Sequence, residues 1–210
     1  MGSSRRTKTI AIDFDGVIAN SDSAKVAFAR DELGLDVSEG DMKERYFVEL
    51  FGEERGRELY ARILESIYRS ERMLETPMMP HSREGLSKLR AAGWSCAVVT
   101  SRSGSLTDGD SYAYWAWRYL QEHGYEIEEG NFLNVNGRTK LDMCLALDAH
   151  GLVDDDYAKI APVIAAGLKG YLFSTQTNRG AEEEYPAFQG IRVEDWDHLV
   201  RMLLSLPEEA

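Results

Sequence analysis

The chain has 210 residues, 24 of them basic and 36 acidic, for a net charge of −12. Such a surface repels the nucleic-acid backbone and anionic lipid, so duplex nucleic acid and membrane are excluded as partners, and no run approaches the roughly 18 apolar residues of a spanning helix. The length suits one ordinary domain plus an insertion, with a core that needs neither disulfides nor a structural metal.

Met1 to Lys8 is basic but lacks the apolar stretch of a signal peptide, and reads as a flexible leader of a cytoplasmic protein. Thr9 to Asp13 follows as the first strand. It runs into Asp13-Phe14-Asp15-Gly16-Val17, where two carboxylates on alternate residues meet a glycine turn. Acids this close are not both buried and ionised unless a divalent cation compensates them; the plainer reading is an Asp-Gly turn closing a hairpin. Next comes an excursion rich in helix formers and charge, without a convincing strand, read as a separate helical subdomain. In it, Leu59, Tyr60, Ile63, Leu64, Ile67 and Tyr68 form an apolar face too wide for an isolated surface helix, and Ser23 to Leu33 is the expected partner. Thr76-Pro77-Met78-Met79-Pro80 is a return linker restricted to extended backbone.

Beyond the linker, strands alternate with helices. The strands are expected at Ser95 to Thr100, Phe132 to Val135, His150 to Val153, Gly170 to Phe173 and, more weakly, Gly190 to Val193. Helices are expected at Ser82 to Ala92, along the Tyr112, Trp115, Ala116, Tyr119, Leu120 stripe, and at Lys159 to Ala166. Several strands are continuously apolar, as strands covered on both faces are. The fold class is therefore α/β: a doubly wound, Rossmann-like, mostly parallel sheet, whose ligands bind at the carboxyl ends of the strands. Its domain runs over residues 9–19 and 81–206, with the small helical subdomain inserted at 20–80. Cys96 and Cys144 sit in apolar stretches at a spacing that suits neither zinc nor a disulfide framework, and read as buried, reduced thiols.

Four stretches in order carry a resemblance that covers nearly the whole chain: Asp13-Phe14-Asp15-Gly16-Val17, Ala97-Val98-Val99-Thr100, Lys140, and Leu152-Val153-Asp154-Asp155. The sequence resembles the haloacid dehalogenase superfamily phosphatases. Because the excursion follows the first stretch, it resembles the family's C1 cap. The resemblance implies Asp13 as nucleophile, Asp15 as general acid and base with a raised pKa, and Thr100, Ser101, Lys140 and Arg102 as phosphate-binding groups. It implies Mg2+ held by Asp13, the main-chain carbonyl of Asp15, and Asp155, with Asp154 behind it. Plainer readings stand beside these roles. Lys140 competes with Arg138 and Lys159 as a solvated charge, the Asp154 to Asp156 run could be a solvated loop, and Arg102 could pair with the acidic loop Asp108 to Asp110.

The downstream half is similar to the 5'(3')-deoxyribonucleotidases in Thr100-Ser101, in the aromatic helix, in the strand ending near Asn178, and in Val193-Glu194-Asp195-Trp196-Asp197. It departs from them at Arg102, where they tend to have proline. This implies nucleoside monophosphates as substrates, with Phe28, Tyr46, Phe47 and Phe51 as candidate surfaces for a base. The alternatives are another small phosphorylated metabolite (a sugar phosphate or phosphoglycolate), a phosphomutase, a phosphonatase using Lys25 or Lys43, and a non-catalytic binding module. A monomer or homodimer is expected.

Overall fold

The computed structural model describes residues 8–179 and 189–207; the Met1–Thr7 part of the leader lies outside them. Six strands form one parallel sheet: β1 (Thr9–Ile12), β2 (Ser95–Thr100), β3 (Phe132–Asn134), β4 (Ala149–Asp154), β5 (Lys169–Phe173) and β6 (Ile191–Val193). Their order is β3-β2-β1-β4-β5-β6, so β1 is central and pairs with both β2 and β4. This is the expected doubly wound α/β architecture, all parallel among the described residues.

The apolar runs are explained by burial on both faces. Ile10, Ile12, Val98 and Val153 enter one hydrophobic cluster, while Ala11, Val99 and Leu152 enter a second on the opposite face. Cys96 belongs to the first and Cys144 to the second, so the two thiols lie on opposite sides of the sheet, both buried and free. Burial pushes them up to about 12 and about 11, which keeps them unreactive.

Eight helices accompany the strands among the described residues. Between β1 and β2 come α1 (Ser21–Leu33), α2 (Glu44–Phe51), α3 (Glu53–Tyr68) and α4 (Ser82–Ala91), followed by α5 (Tyr112–Glu122), α6 (Lys140–Ala146), α7 (Tyr157–Ala165) and α8 (Trp196–Leu204). The Asn20 side chain caps α1 by accepting from Ser23 N, and Gly34 ends the helix in the left-handed region at φ 65°. Helices α1 to α3 make up the expected helical insertion between β1 and α4, called the cap for brevity. Its interior of Phe28, Phe47, Ile63 and Ile67 joins the sheet's larger cluster, so cap and core share one continuous apolar body.

Where the chain leaves the core and where it re-enters, the two passes pair. Asn20 N donates to Pro77 O and Met79 N to Ile18 O, both at 2.8 Å, around an antiparallel bridge between Ala19 and Met78. Trp196 of α8 locks this junction from beneath: its indole is fully buried and Nε1 donates to Val17 O at 2.7 Å. Gly85 of α4 makes room for that ring, since a β-carbon there would collide with Trp196 Cε3. Gly85→Ala is therefore expected to destabilise the fold by about 1–3 kcal/mol through overpacking, read as a lowered denaturation midpoint. An unchanged midpoint would refute this packing argument.

Candidate active site

The carboxyl ends of the two central strands bring three carboxylates together. Asp13 follows β1 directly, its N–H bonded to Val153 O of β4 at 2.8 Å, and β4 ends in Asp154 with Asp155 next. Oxygens of Asp13, Asp154 and Asp155 lie within 4.8 Å of one another, the only such cluster found among the described residues. Lys140 closes the group. Thr139 caps α6 through a reciprocal capping box with Asp142, and so sets Lys140 at the first helical position. From there Nζ reaches Asp13 Oδ1 at 2.7 Å and Asp154 Oδ2 at 2.6 Å, with all three side chains less than a tenth exposed.

Three acids against one ammonium leave negative charge in excess. Burial, then the charge of Asp154, push the Asp13 carboxyl up to about 8, with Lys140 pulling the other way. Asp155 is raised by burial and by the charges of Asp154 and Asp13. Burial would strip Lys140 of its proton, but Asp13 and Asp154 hold it charged. Such a hard, all-oxygen donor set in charge deficit fits a small divalent cation. Gly16 is required beside it on two counts: φ is 74°, and a β-carbon would collide with Asp155 Oδ2.

Thr100 ends β2, fully buried, and its Oγ1 accepts from Arg102 N at 3.2 Å; Ser101 between them is exposed. Arg102 does not pair with Asp108 to Asp110. It turns inward onto Asp15, with Nε 2.9 Å from Oδ2 and Nη2 2.7 Å from Oδ1. That pairing corrects the expectation for Asp15. Burial would raise its carboxyl, but the charge and hydrogen bonds of Arg102 overcome it and hold the group at about 2.

The aromatics expected to receive a base pack within the helical segment itself. Phe47 is fully buried against Tyr46, Phe51 and Tyr60, with ring centroids 5.8, 6.3 and 5.6 Å away. Phe28 is buried beneath Arg72. Phe47 is thus interior to this helical segment and offers no face for a base, while Tyr46 and Phe51 are half-buried against it. The cap residues that do reach the site are ones sequence reasoning passed over or assigned otherwise: Ser21, whose Oγ donates to Asp15 Oδ1, and Tyr68, whose ring lies 3.7 Å from the Arg102 guanidinium. Lys25 joins them, 5.6 Å from the same ring and 2.8 Å from Asp22. Tyr68 stood out in the sequence only as part of an apolar stripe. A cavity of about 440 Å³ opens beside Gly16 along Asn20, Asp22, Thr175, Gln176 and Arg179, and Met79 is the only apolar side chain among the described residues lining it.

No protein-family profile and no curated protein matches the sequence. Solved structures do match in shape. A HAD-family hydrolase from Deinococcus radiodurans, solved with bound phosphate and sodium, is 15% identical over 95% of this chain and 96% of its own, at a TM-score of 0.65. A predicted phosphatase from Clostridium acetobutylicum is likewise 15% identical over 95% of this chain and 99% of its own, at 0.64. A subfamily IA hydrolase from Geobacter sulfurreducens is 18% identical over 94% and 96%, at 0.57. The fold is that of the haloacid dehalogenase-like hydrolases. At such identities the likeness speaks for the fold alone. Within that fold, Asp13, Thr100 and Asp154 stand at the carboxyl ends of three adjacent strands, where doubly wound sheets bind ligands. No helix among the described residues is long and apolar enough to cross a membrane.

Proposed function

We propose that this chain is a magnesium-dependent phosphomonoester hydrolase that works through an aspartyl-phosphate on Asp13, under a C1-type cap. The observation that carries the reading is the Asp13, Asp154, Asp155 cluster with Lys140 in its midst: a nucleophilic carboxylate, a cation site and a fixed ammonium within one buried group. Asp13, the main-chain carbonyl of Asp15, Asp155 and Asp154 would hold Mg2+, and the bound cation would offset the charge between carboxylate and phosphoryl oxygens. Lys140 and the Thr100 hydroxyl bind the phosphoryl oxygens, with Ser101 at the rim. Asp13 attacks phosphorus as the bridging oxygen departs, and Asp15, once protonated, gives that oxygen its proton. Asp15 then takes a proton from the water that hydrolyses the acyl phosphate.

Two finer alternatives lose support. A phosphonatase needs a neutral amine for its Schiff base, but Tyr68 and Asp22 outweigh the effect of burial and hold Lys25 well above the ordinary lysine range. A preference for nucleoside monophosphates needs an apolar slot for the base, and Phe28 and Phe47 are spent on the cap interior. Phosphate release from a panel of small monoesters, with Mg2+ and with EDTA, tests the reading. Release is expected with Mg2+, falling by about 100-fold or more in EDTA. Silence across the panel with Mg2+ present would overturn it and favour a binding module.

A further inference from the structure

Asp15 is held in a way that the proposed reaction must undo. Both its oxygens are gripped by Arg102, at 2.9 and 2.7 Å, and Oδ1 also receives Ser21 Oγ. Arg102 is itself only 4% exposed, its guanidinium carbon 4.9 Å from the ring centroid of Phe14 and 3.7 Å from that of Tyr68. Its remaining nitrogen, Nη1, is buried without a hydrogen-bond acceptor. A carboxylate occupied on both oxygens cannot reach a leaving oxygen with full freedom, and a buried guanidinium does not give up its partner for nothing. Only another oxyanion matches what Arg102 would lose, and the planar fork suits a carboxylate or a phosphate equally. In the proposed reaction the phosphoryl group being transferred is already provided for at Lys140, which contacts Asp13 and Asp154. A second buried cation, Lys25, flanks the same Tyr68 ring, so the cap-facing side of Asp15 carries two cations.

Resting on the phosphohydrolase reading, we propose that Arg102 is a specificity-determining residue that binds a second anionic group, a carboxylate or phosphate carried by the leaving group, and in doing so frees the Asp15 carboxylate, which takes up a proton from solvent and passes it to the leaving oxygen. Esters with a neutral leaving group leave Arg102 on Asp15 and turn over slowly. Nucleoside monophosphates fall in this slow class.

Matched substrates test the exchange. Phosphoglycolate against 2-hydroxyethyl phosphate isolates a carboxylate; 1,3-propanediol bisphosphate against 3-hydroxypropyl phosphate isolates a second phosphate; p-nitrophenyl phosphate serves as reference. The wild type is expected to favour the anionic member of one or both pairs by about 10- to 100-fold in kcat/KM. Arg102→Met is expected to bring that ratio close to one, through a higher KM for the anionic ester and a higher kcat for the neutral one. A merely structural role would lower both substrates together. Arg102→Lys, which keeps the charge without the fork, is expected to fall between, and it decides the matter should the methionine variant fail to fold. Turnover with no preference in the wild type, or a preference that survives both substitutions, overturns the inference and leaves the phosphohydrolase reading standing. No turnover of any ester, the reference included, overturns that reading and the inference with it.

Discussion

Asp13→Asn is expected to lower Mg2+-dependent phosphate release by on the order of ten-thousandfold or more, the scale on which loss of a covalent nucleophile is felt. The substitution is nearly isosteric, and Oδ1 of the amide can still accept from Phe14 N and Lys140, as the carboxylate does. The fold therefore survives as a control. What disappears is the anionic oxygen that would bond to phosphorus and share the cation. A second readout separates the two losses: acid-stable 32P labelling of the wild-type protein during turnover, absent from the variant. Residual activity within tenfold of wild type would mean that water attacks directly and that Asp13 only binds metal.

Lys140→Met is expected to cost about 3–5 kcal/mol of stability near pH 8 in the absence of metal, because it strands Asp13 and Asp154 without their cation. The loss depends on pH with a definite sign. Burial and the charge of Asp154 already push the folded Asp13 carboxyl up to about 8, from an ordinary value near 4. A group raised in the folded state gives its full stability below its unfolded pKa, and that stability is lost as pH climbs through the folded value. Removing the ammonium raises both acids further, so the penalty is small near pH 4 and grows toward pH 8. Saturating Mg2+ is expected to recover part of it, since a ligand at about 100 times its Kd adds about 2.7 kcal/mol. Urea denaturation at pH 4.5 and 8, with and without Mg2+, reads all of this. A penalty independent of pH would show that Lys140 contributes through packing rather than charge.

The parts of the molecule legible in the sequence are those written locally. Thr9 to Asp13 and Ser95 to Thr100 announce themselves because both faces of each strand are buried, which forces uninterrupted apolar runs. Helix α1 shows its cap and its glycine stop within the chain segment itself. Asp13, Lys140, Asp154 and Asp155 were also readable, since each stands at the end or the start of such an element. The contacts that change the chemistry are not local. Arg102 and Asp15 are 87 positions apart, and nothing near either residue says that they meet. The acidic loop at Asp108 to Asp110 was a closer partner in sequence, and it lost to a carboxylate that the crossover topology delivers. The same limit hid Tyr68, whose place on an apolar stripe conceals that its ring faces the site. It also made Phe47 look available, because spacing cannot tell which side of a cap helix meets its neighbour and which meets a ligand. Helix α2 escaped notice because it is only 8 residues long, opens at Lys43 without a side-chain cap and stops at Gly52, so it lacks the start signal that marks α1.

The paired passes at Ala19 and Met78 bear on how the two halves of the molecule can vary and fold. Because the ends of the cap segment are hydrogen-bonded side by side, the sheet meets the whole excursion as a closed loop, and closing it costs only about 0.6 kcal/mol more for each doubling of its length. Asp13, Thr100, Lys140 and Asp154 belong to a scaffold that must assemble from distant parts of the chain, whereas α1 to α3 are contiguous. Mutational drift in the contiguous part can thus reshape what lies over the cleft, while the register of β1 against β2 and β4, which sets Asp13, Thr100 and Asp154 side by side, is left undisturbed.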